Sequence, residues 1–428
     1  MSRVAVVGGG LAGLCVANML VGHEVVVFEK ESKPGGLMRC RRTNGHLFYT
    51  CGGHVFNSRN QAALDWFWSV FDREVSFAKS ERKAMIVLAD GTVVPYPIEN
   101  HVYLLKPEWQ KKVYSDLDGL GKCRGKPRDF GEFLRTTFGE TLCDLYFRPY
   151  NRKVWQTDLS RIPLSWLDGK LPMPTAEEIR RANRERSEER QMVHSTFWSP
   201  RQDGPQFIVD ALAKRIDMRC SCEVSSIAIC PNGQKRICGE LFDYVFFCGN
   251  VKDLPLLVRQ DFVERHRLTL DRLLFHGTTT AFCEIDGNPW SWVYLPSPEY
   301  KCHRIICTGN FAASNNAPGG GGARISATVE FTDFVTDSEI GRLDGRLPFR
   351  PHFLESNYTR CSYPIQGTGT RDAIAELKAE LKRHGIWLVG RFAEWEYQNM
   401  DAVITSALKA VADLRTHTDG CGKTCQVG

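Results

Sequence analysis

The sequence predicts an α/β protein in which a parallel-stranded domain carries two insertions, a small helical lobe and an antiparallel β-sheet lobe. Three observations predict it. Near the start, the apolar run at residues 3–7 leads into Gly8-Gly9-Gly10-Leu11-Ala12-Gly13, a helical stretch to about Gly22, and a second apolar run at 24–28. Near the end, residues 385–392 read as a last strand entering a glycine turn, and 400–414 as an amphipathic helix. Between them, residues 100–150 are rich in helix formers and aromatics, whereas 265–365 hold β-rich runs at 278–285, 291–295 and 304–308. At 428 residues the chain is long for one core, so two or three lobes are expected.

Each part of the N-terminal unit has a physical reason. The first glycine makes the tight turn, the second lets backbone approach a pyrophosphate, and the third lets helix and strand pack closely. The helix N-terminus attracts the phosphate charge. Glu29 ends the second strand, 21 residues after Gly8, where a carboxylate can accept hydrogen bonds from a ribose. This is the Rossmann βαβ pattern. It assigns dinucleotide contacts to Gly8, Gly10, Leu11, Ala12, Gly13, Glu29 and the adjoining Lys30.

Composition narrows the class. Apolar residues make up 43% and charged residues 25%, as in ordinary globular proteins. A net charge of +5 spread along the chain can favour an anionic substrate but is far from a nucleic-acid-binding stripe. The apolar stretch at 4–22 is interrupted by Gly8, Gly9, Gly10 and Gly13 and lacks a basic leader, so it does not read as a signal peptide. No apolar run is long enough to read as a membrane span. The 16 cysteines then read as mostly reduced thiols of a cytoplasmic protein, and the pairs Cys220/Cys222 and Cys421/Cys425 fall short of a metal site, so none is expected. The oligomeric state stays open between monomer and homo-oligomer.

The glycine pair in Lys33-Pro34-Gly35-Gly36 points to FAD rather than NAD. An NAD domain has no need of it, whereas flavoproteins of the glutathione-reductase and amine-oxidase type use such a pair to run the chain along the cofactor. Two later segments fit that class. Residues 223–227 resemble the strand whose valine, here Val224, flanks the adenine, and 244–250 resemble the strand that returns to the dinucleotide fold. The expected division is an FAD domain from 1–78, 203–250 and 370–428, a helical lobe at 100–150, and a β-sheet substrate domain from 79–99, 151–202 and 251–369. The charged segment 176–191 reads as a solvated helix or mobile loop, and Gly319 to Gly322 as a loop tip.

Further motifs carry a more specific resemblance: Gly52-Gly53-His54-Val55-Phe56, Pro95-Tyr96-Pro97, Tyr150-Asn151-Arg152-Lys153-Val154-Trp155 and Ser165-Trp166-Leu167. To these add Tyr294 with Arg304 ten residues later, Tyr363-Pro364-Ile365, and the block from Gly390 and Arg391 through Tyr397, Gln398, Asn399 and Met400 to Asp401. Along most of its length the chain resembles the flavin-dependent UDP-galactopyranose mutases, with features of their bacterial and eukaryotic branches. The resemblance implies a reduced flavin, sustained by NAD(P)H or another reductant, whose N5 is the nucleophile on the anomeric carbon of a nucleotide sugar. The diphosphate leaves, the sugar ring opens and recloses on another hydroxyl, and no net redox change results.

The same resemblance implies roles. His54 and Gly53 lie against the isoalloxazine, Arg391 contacts the cofactor, and Met400 starts the cofactor helix. Tyr150 and Trp155 sit beside the nucleobase and mobile loop, with Tyr96 and Glu99 also on the substrate side. Tyr294, Tyr363 and Tyr397 reach the diphosphate or sugar, and Arg304 is one of two cations clamping the diphosphate. The chain departs from the family at three places. Lys170 stands where a second clamping arginine is expected, Glu99 where a neutral glutamine is expected, and Asn399 where bacterial members have an aspartate near the substrate. A lysine keeps the charge but loses the planar fork, so the substrate need not be UDP-galactose. Two other functions remain compatible with the motifs: an FAD oxidoreductase of the amine-oxidase type, and a flavin-binding interaction protein without activity.

Overall fold

The computed structural model describes residues 1–120, 126–164, 174–186, 195–319 and 323–424. Its first sheet has five strands in the order Ile386–Leu388, Tyr244–Phe247, Arg3–Val7, Glu24–Phe28, Asp217–Arg219, and all its pairings are parallel. The valine runs at 4–7 and 25–27 suit such a sheet, because β-branched residues pack well when both faces are covered. Alternation decides the partners. Val4 and Val6 face a core shared with helices Leu11–Met19, Pro205–Ala213 and Met400–Thr424. Ala5 and Val7 face the opposite core, filled by Ile374, Leu377 and Leu381 of helix Thr370–Arg383.

One strand expectation needs correction. Residues 223–227 form no strand; the sheet edge is Asp217–Arg219, just upstream. The backbone bonds elsewhere: just before the segment, Cys222 N donates to Glu29 O at 2.9 Å, and at its end Ile227 N donates to Leu257 O, in the short helix Leu254–Leu257, at 2.8 Å. The final helix also runs beyond the expected 414, to Thr424.

The second sheet has seven strands, ordered His352–Ile365, Leu274–Asp286, Arg324–Thr332, Arg304–Ile306, Trp292–Tyr294, Ala84–Val87, Val93–Pro95. It is antiparallel except for one parallel pairing, Trp292–Tyr294 with Ala84–Val87. Val293, Ile305 and Val329 face one core, while Trp292, Tyr294 and Ile306 face another that they share with the helical lobe. That lobe comprises helices Pro107–Gly119 and Phe130–Leu142, a π-turn at Cys143–Phe147, and Arg148–Trp155. Its helices therefore continue past residue 150.

Segment 176–191 holds a helix over Ala176–Glu185, opened by a Thr175/Glu178 capping box, and its residues 187–191 lie outside the described residues. It is not wholly solvated. Ile179 and Asn183, one turn apart, are buried, and the Asn183 amide donates to Glu99 O at 2.7 Å. Gly319 lies in a turn, while residues 320–322 fall outside the described residues. Among the described residues, no helix is long and apolar enough to cross a membrane.

Candidate active site

A cavity of about 1280 Å³ runs along the C-terminal ends of the parallel strands. Ligands bind there in open α/β sheets. Close backbone packing builds it. A Cβ on Gly13 would stand 2.0 Å from the Gly8 carbonyl oxygen, so only glycine lets the helix start this near the strand. The second glycine pair presses on the first loop: Gly35 N donates to Gly9 O at 2.9 Å, and a Cβ on Gly36 would come within 3.3 Å of the Gly10 Cα. The Glu29 carboxylate fixes this end. Its Oε2 accepts from Gly9 N at 2.8 Å and its Oε1 from Glu31 N at 2.9 Å.

Of the residues expected at the cofactor, Gly8, Gly10, Leu11, Ala12, Glu29, Lys30, Gly35, Gly36, Val224, Gly390, Arg391 and Met400 all line this cavity. His54 lines it too. Gly13 does not; its role is packing. Gly53 is also outside the lining, and a Cβ there would meet Ile306 and Trp292 at 3.0 and 3.1 Å. The residues present fit FAD. The glycine-rich turn and helix start would take the pyrophosphate, Glu29 and Val224 would hold the adenosine end, and His54, Arg391 and Met400 would border the other end.

At that far end, His54 Nε2 donates to Leu37 O at 3.0 Å. Burial, reinforced by the Arg391 charge, holds its pKa down at about 4, so the ring is neutral at physiological pH and carries its proton on Nε2. Arg391 donates from Nη2 to Gln398 O at 2.6 Å and from Nη1 to Ser362 O at 3.1 Å, and lies 4.8 Å over the Tyr397 ring. Asn399 is exposed, and its carbonyl accepts from Val403 N at 3.0 Å in the first turn of helix Met400–Thr424.

Tyr397 opens onto a second group. It stacks on Tyr363 at 5.4 Å, Trp155 meets Tyr363 edge-on at 6.3 Å, and Tyr294 contacts both Tyr150 at 5.3 Å and Tyr96 at 5.1 Å. Within this group, the sheet register places Tyr294, Arg304 and Glu330 side by side on three neighbouring strands. The ten-residue offset of Tyr294 and Arg304 is thus a cross-strand pair. Arg304 Nη2 donates to the Tyr363 hydroxyl at 3.0 Å, and its Nε donates to the Glu330 carboxylate. Burial would raise the Glu330 pKa, but Arg304 and His303 outweigh it and bring the carboxyl down to about 2. Burial holds His303 at about 4.

The Tyr150-to-Trp155 motif is anchored by its lysine. Lys153 Nζ donates to Leu295 O at 2.8 Å, Cys302 O at 3.0 Å and Ser297 O, fastening helix Arg148–Trp155 to the sheet; burial lowers this amine to about 8. Glu99 is buried, with its carbonyl held by Asn183. Lys170 and the Ser165-to-Leu167 motif lie outside the described residues.

Sequence reasoning missed two residues. Arg82 donates to the Tyr294 hydroxyl and lies 4.9 Å over Tyr96, yet beside Glu81 and Lys83 it looks like any surface charge. Glu330 left no local signal either: Ile325, Ala327, Val329 and Phe331 alternate with Ser326, Thr328 and Glu330, so it reads as the polar face of a half-buried strand.

Comparison with known proteins agrees with this architecture. Residues 6–73 match the family model of the NAD(P)-binding Rossmann-like domain. The chain is similar in structure to reduced UDP-galactopyranose mutase, with a TM-score of 0.84, 21% identity, and coverage of 97% of this chain and 94% of that one. It is also similar to a protein described as a protoporphyrinogen oxidase from Exiguobacterium sp. 255-15, with a TM-score of 0.72, 15% identity and coverage of 97% and 99%. A putrescine oxidase double mutant with redesigned cofactor binding gives a TM-score of 0.65 at 12% identity, again over 97% and 99%. At these identities the likeness establishes the shared fold.

Proposed function

We propose that this chain is a reduced-flavin-dependent mutase that interconverts the pyranose and furanose forms of a nucleotide-activated sugar. The observation that carries the reading is the Arg304 guanidinium, set among tyrosines beside the His54 and Arg391 end of a cleft that fits FAD. A nucleotide sugar gives that cation its purpose, because negative charge grows on the diphosphate as the glycosidic bond breaks.

When bound and reduced, FAD supplies the electron-rich centre that lets a sugar exchange ring forms without net oxidation. The chain does the rest. Arg304 and the Tyr363 hydroxyl hold the diphosphate as it leaves and returns, so that the nucleotide is not lost between steps. Tyr150, Trp155, Tyr294 and Tyr397 enclose the sugar and nucleoside and exclude water that would hydrolyse the activated sugar. His54, neutral at physiological pH, orients its loop through Leu37 O and adds no competing charge. Lys170 serves as the second cation by the family resemblance, as a point charge without a fork. Glu99 and Asn399 then bear on which nucleotide sugar is chosen.

The test is an anaerobic assay of a panel of nucleotide sugars with dithionite-reduced and with oxidised protein. Ring-form conversion by the reduced protein alone is expected. Equal turnover by the oxidised protein would sink the reading. A second reading, an FAD oxidoreductase of the amine-oxidase type, is favoured by the fold shared with the putrescine oxidase variant. Its signature would be anaerobic bleaching of the flavin by an amine.

A further inference from the structure

Glu330 lies between Val329 and Phe331 in strand Arg324–Thr332, and it is fully buried, as are Ser326 and Thr328 on its own face. A carboxylate survives in such a place only if its oxygens are bonded. Both are, and they lead in different directions. Oε1 accepts from Gly52 N at 2.7 Å, and Oε2 accepts from Arg304 Nε. The His303 Nε2 lies 3.6 Å from the same oxygen, as a neutral neighbour that adds no second cation.

The two partners belong to the two halves of the site. Gly52 lies in the loop from Thr50 to His54, and both end residues line the cofactor cleft. Arg304 lies among the tyrosines, its Nη1 carrying no hydrogen bond among the described residues while Nε and Nη2 are engaged. One carboxylate therefore bridges the amide of the cofactor loop and the cation meant for an anion. An anion reaching Arg304 competes with Glu330 for the same guanidinium. As that bond weakens, more of the carboxylate's charge falls on the Gly52 amide, and the loop ending in His54 responds.

We propose that Glu330 is a positioning residue that couples anion occupancy at Arg304 to the loop bordering the cofactor. It rests on the functional reading only in placing FAD along the cleft and a diphosphate at Arg304. By reciprocity, the redox state of the flavin tunes anion affinity by the factor through which the anion tunes the flavin. Glu330 touches neither ligand in this scheme and acts through Arg304 and Gly52.

The test uses the full-length, FAD-loaded protein with inorganic pyrophosphate as the probe. Binding is followed by calorimetry, and the response by flavin absorbance and by the FAD midpoint potential. In the wild type, pyrophosphate should change both the spectrum and the potential. Glu330→Gln, which keeps the shape and an acceptor for Gly52 but not the charge, should still bind pyrophosphate while its spectral response falls about tenfold. Glu330→Asp, a shorter acid that cannot span both partners, should also respond weakly, and it serves if the Gln variant does not retain FAD.

A full response in either variant overturns the proposal. So does wild-type protein that binds pyrophosphate with no change in spectrum or potential, or that does not bind it; these outcomes need no variant to fold. The two readings fail separately. Intact coupling in a protein that converts no nucleotide sugar removes the mutase reading alone, and turnover without coupling removes the role of Glu330 alone.

Discussion

The two ends of the site are built from different materials. Around Gly8–Gly13, Gly35 and Gly36 the cleft is made of backbone: amides, carbonyls and the space that missing side chains leave. Around Arg304 the walls are side chains carried by remote segments, with Tyr96, Tyr150, Tyr294 and Tyr363 meeting across nearly 270 residues of chain. The difference teaches where each end is fragile. A backbone site fails by steric intrusion and takes the fold with it, whereas a side-chain site can lose its chemistry and keep its cofactor.

The comparison breaks most visibly at Gly13. A side chain there meets the Gly8 carbonyl oxygen at 2.0 Å, where neither partner can yield. Gly13→Val should cost roughly 3 kcal/mol or more and leave the purified protein without flavin. Yellow protein with normal FAD content would show that the cleft does not depend on that contact. The unaltered protein should release free FAD on denaturation, since no covalent attachment motif is present.

On the side-chain end the opposite split is expected. Arg304→Ala should keep FAD in the cleft yet lower kcat/KM by roughly a hundred- to a thousandfold. It also strands the buried Glu330 carboxylate, so Arg304→Lys belongs in the series as the variant that retains a charge. Lys170→Ala should cost far less, on the order of tenfold, because ordering a long point-charge side chain offsets much of its attraction. Steady-state kinetics with flavin occupancy checked by absorbance reads all three. Near-normal kcat/KM for Arg304→Ala with full flavin would remove Arg304 from the site.

A smaller, pH-dependent effect sharpens the same contrast, because three strongly shifted groups lie where the ends meet. His54 and His303 have pKa values of about 4 against an ordinary 6.5, and Glu330 about 2 against 4.5. All three are depressed in the folded protein, so the unfolded chain binds more protons and stability falls as pH falls. The histidine contribution is complete above 6.5 and is lost as pH falls from 6.5 through 4; the Glu330 contribution is lost from 4.5 through 2. Between pH 7 and pH 5 the two histidines should remove about 2 kcal/mol each. Denaturant midpoints at the two pH values measure the drop, and His54→Asn should remove about half of it. An unchanged midpoint would mean that these rings titrate in the fold as they do in the unfolded chain.

What could be read in the sequence follows the same division. The strands at 3–7 and 24–28 and the glycines between them were legible because a tight turn and a close approach constrain residue type locally. The segment at 223–227 misled, because its valine and isoleucine suit a strand while the backbone partners found there, Glu29 for Cys222 and Leu257 for Ile227, are set by tertiary structure. The offset of Tyr294 and Arg304 became a cross-strand pair only once the hairpin register was known. Glu330 and Arg82 were not found, because no local pattern tells a buried charge which distant partner it will meet. The family resemblance supplied Tyr150, Trp155, Tyr363 and Tyr397, which spacing alone would assign to core as readily as to a site.

The central claim is that this cleft uses FAD without consuming electrons. The direct measurement is the stoichiometry of product to reductant, made anaerobically on protein reduced once and then supplied with a nucleotide sugar. Many product molecules per reduced flavin, with the flavin still reduced at the end, is the result expected. One reducing equivalent consumed for each product would contradict the account and place the chain among the oxidoreductases.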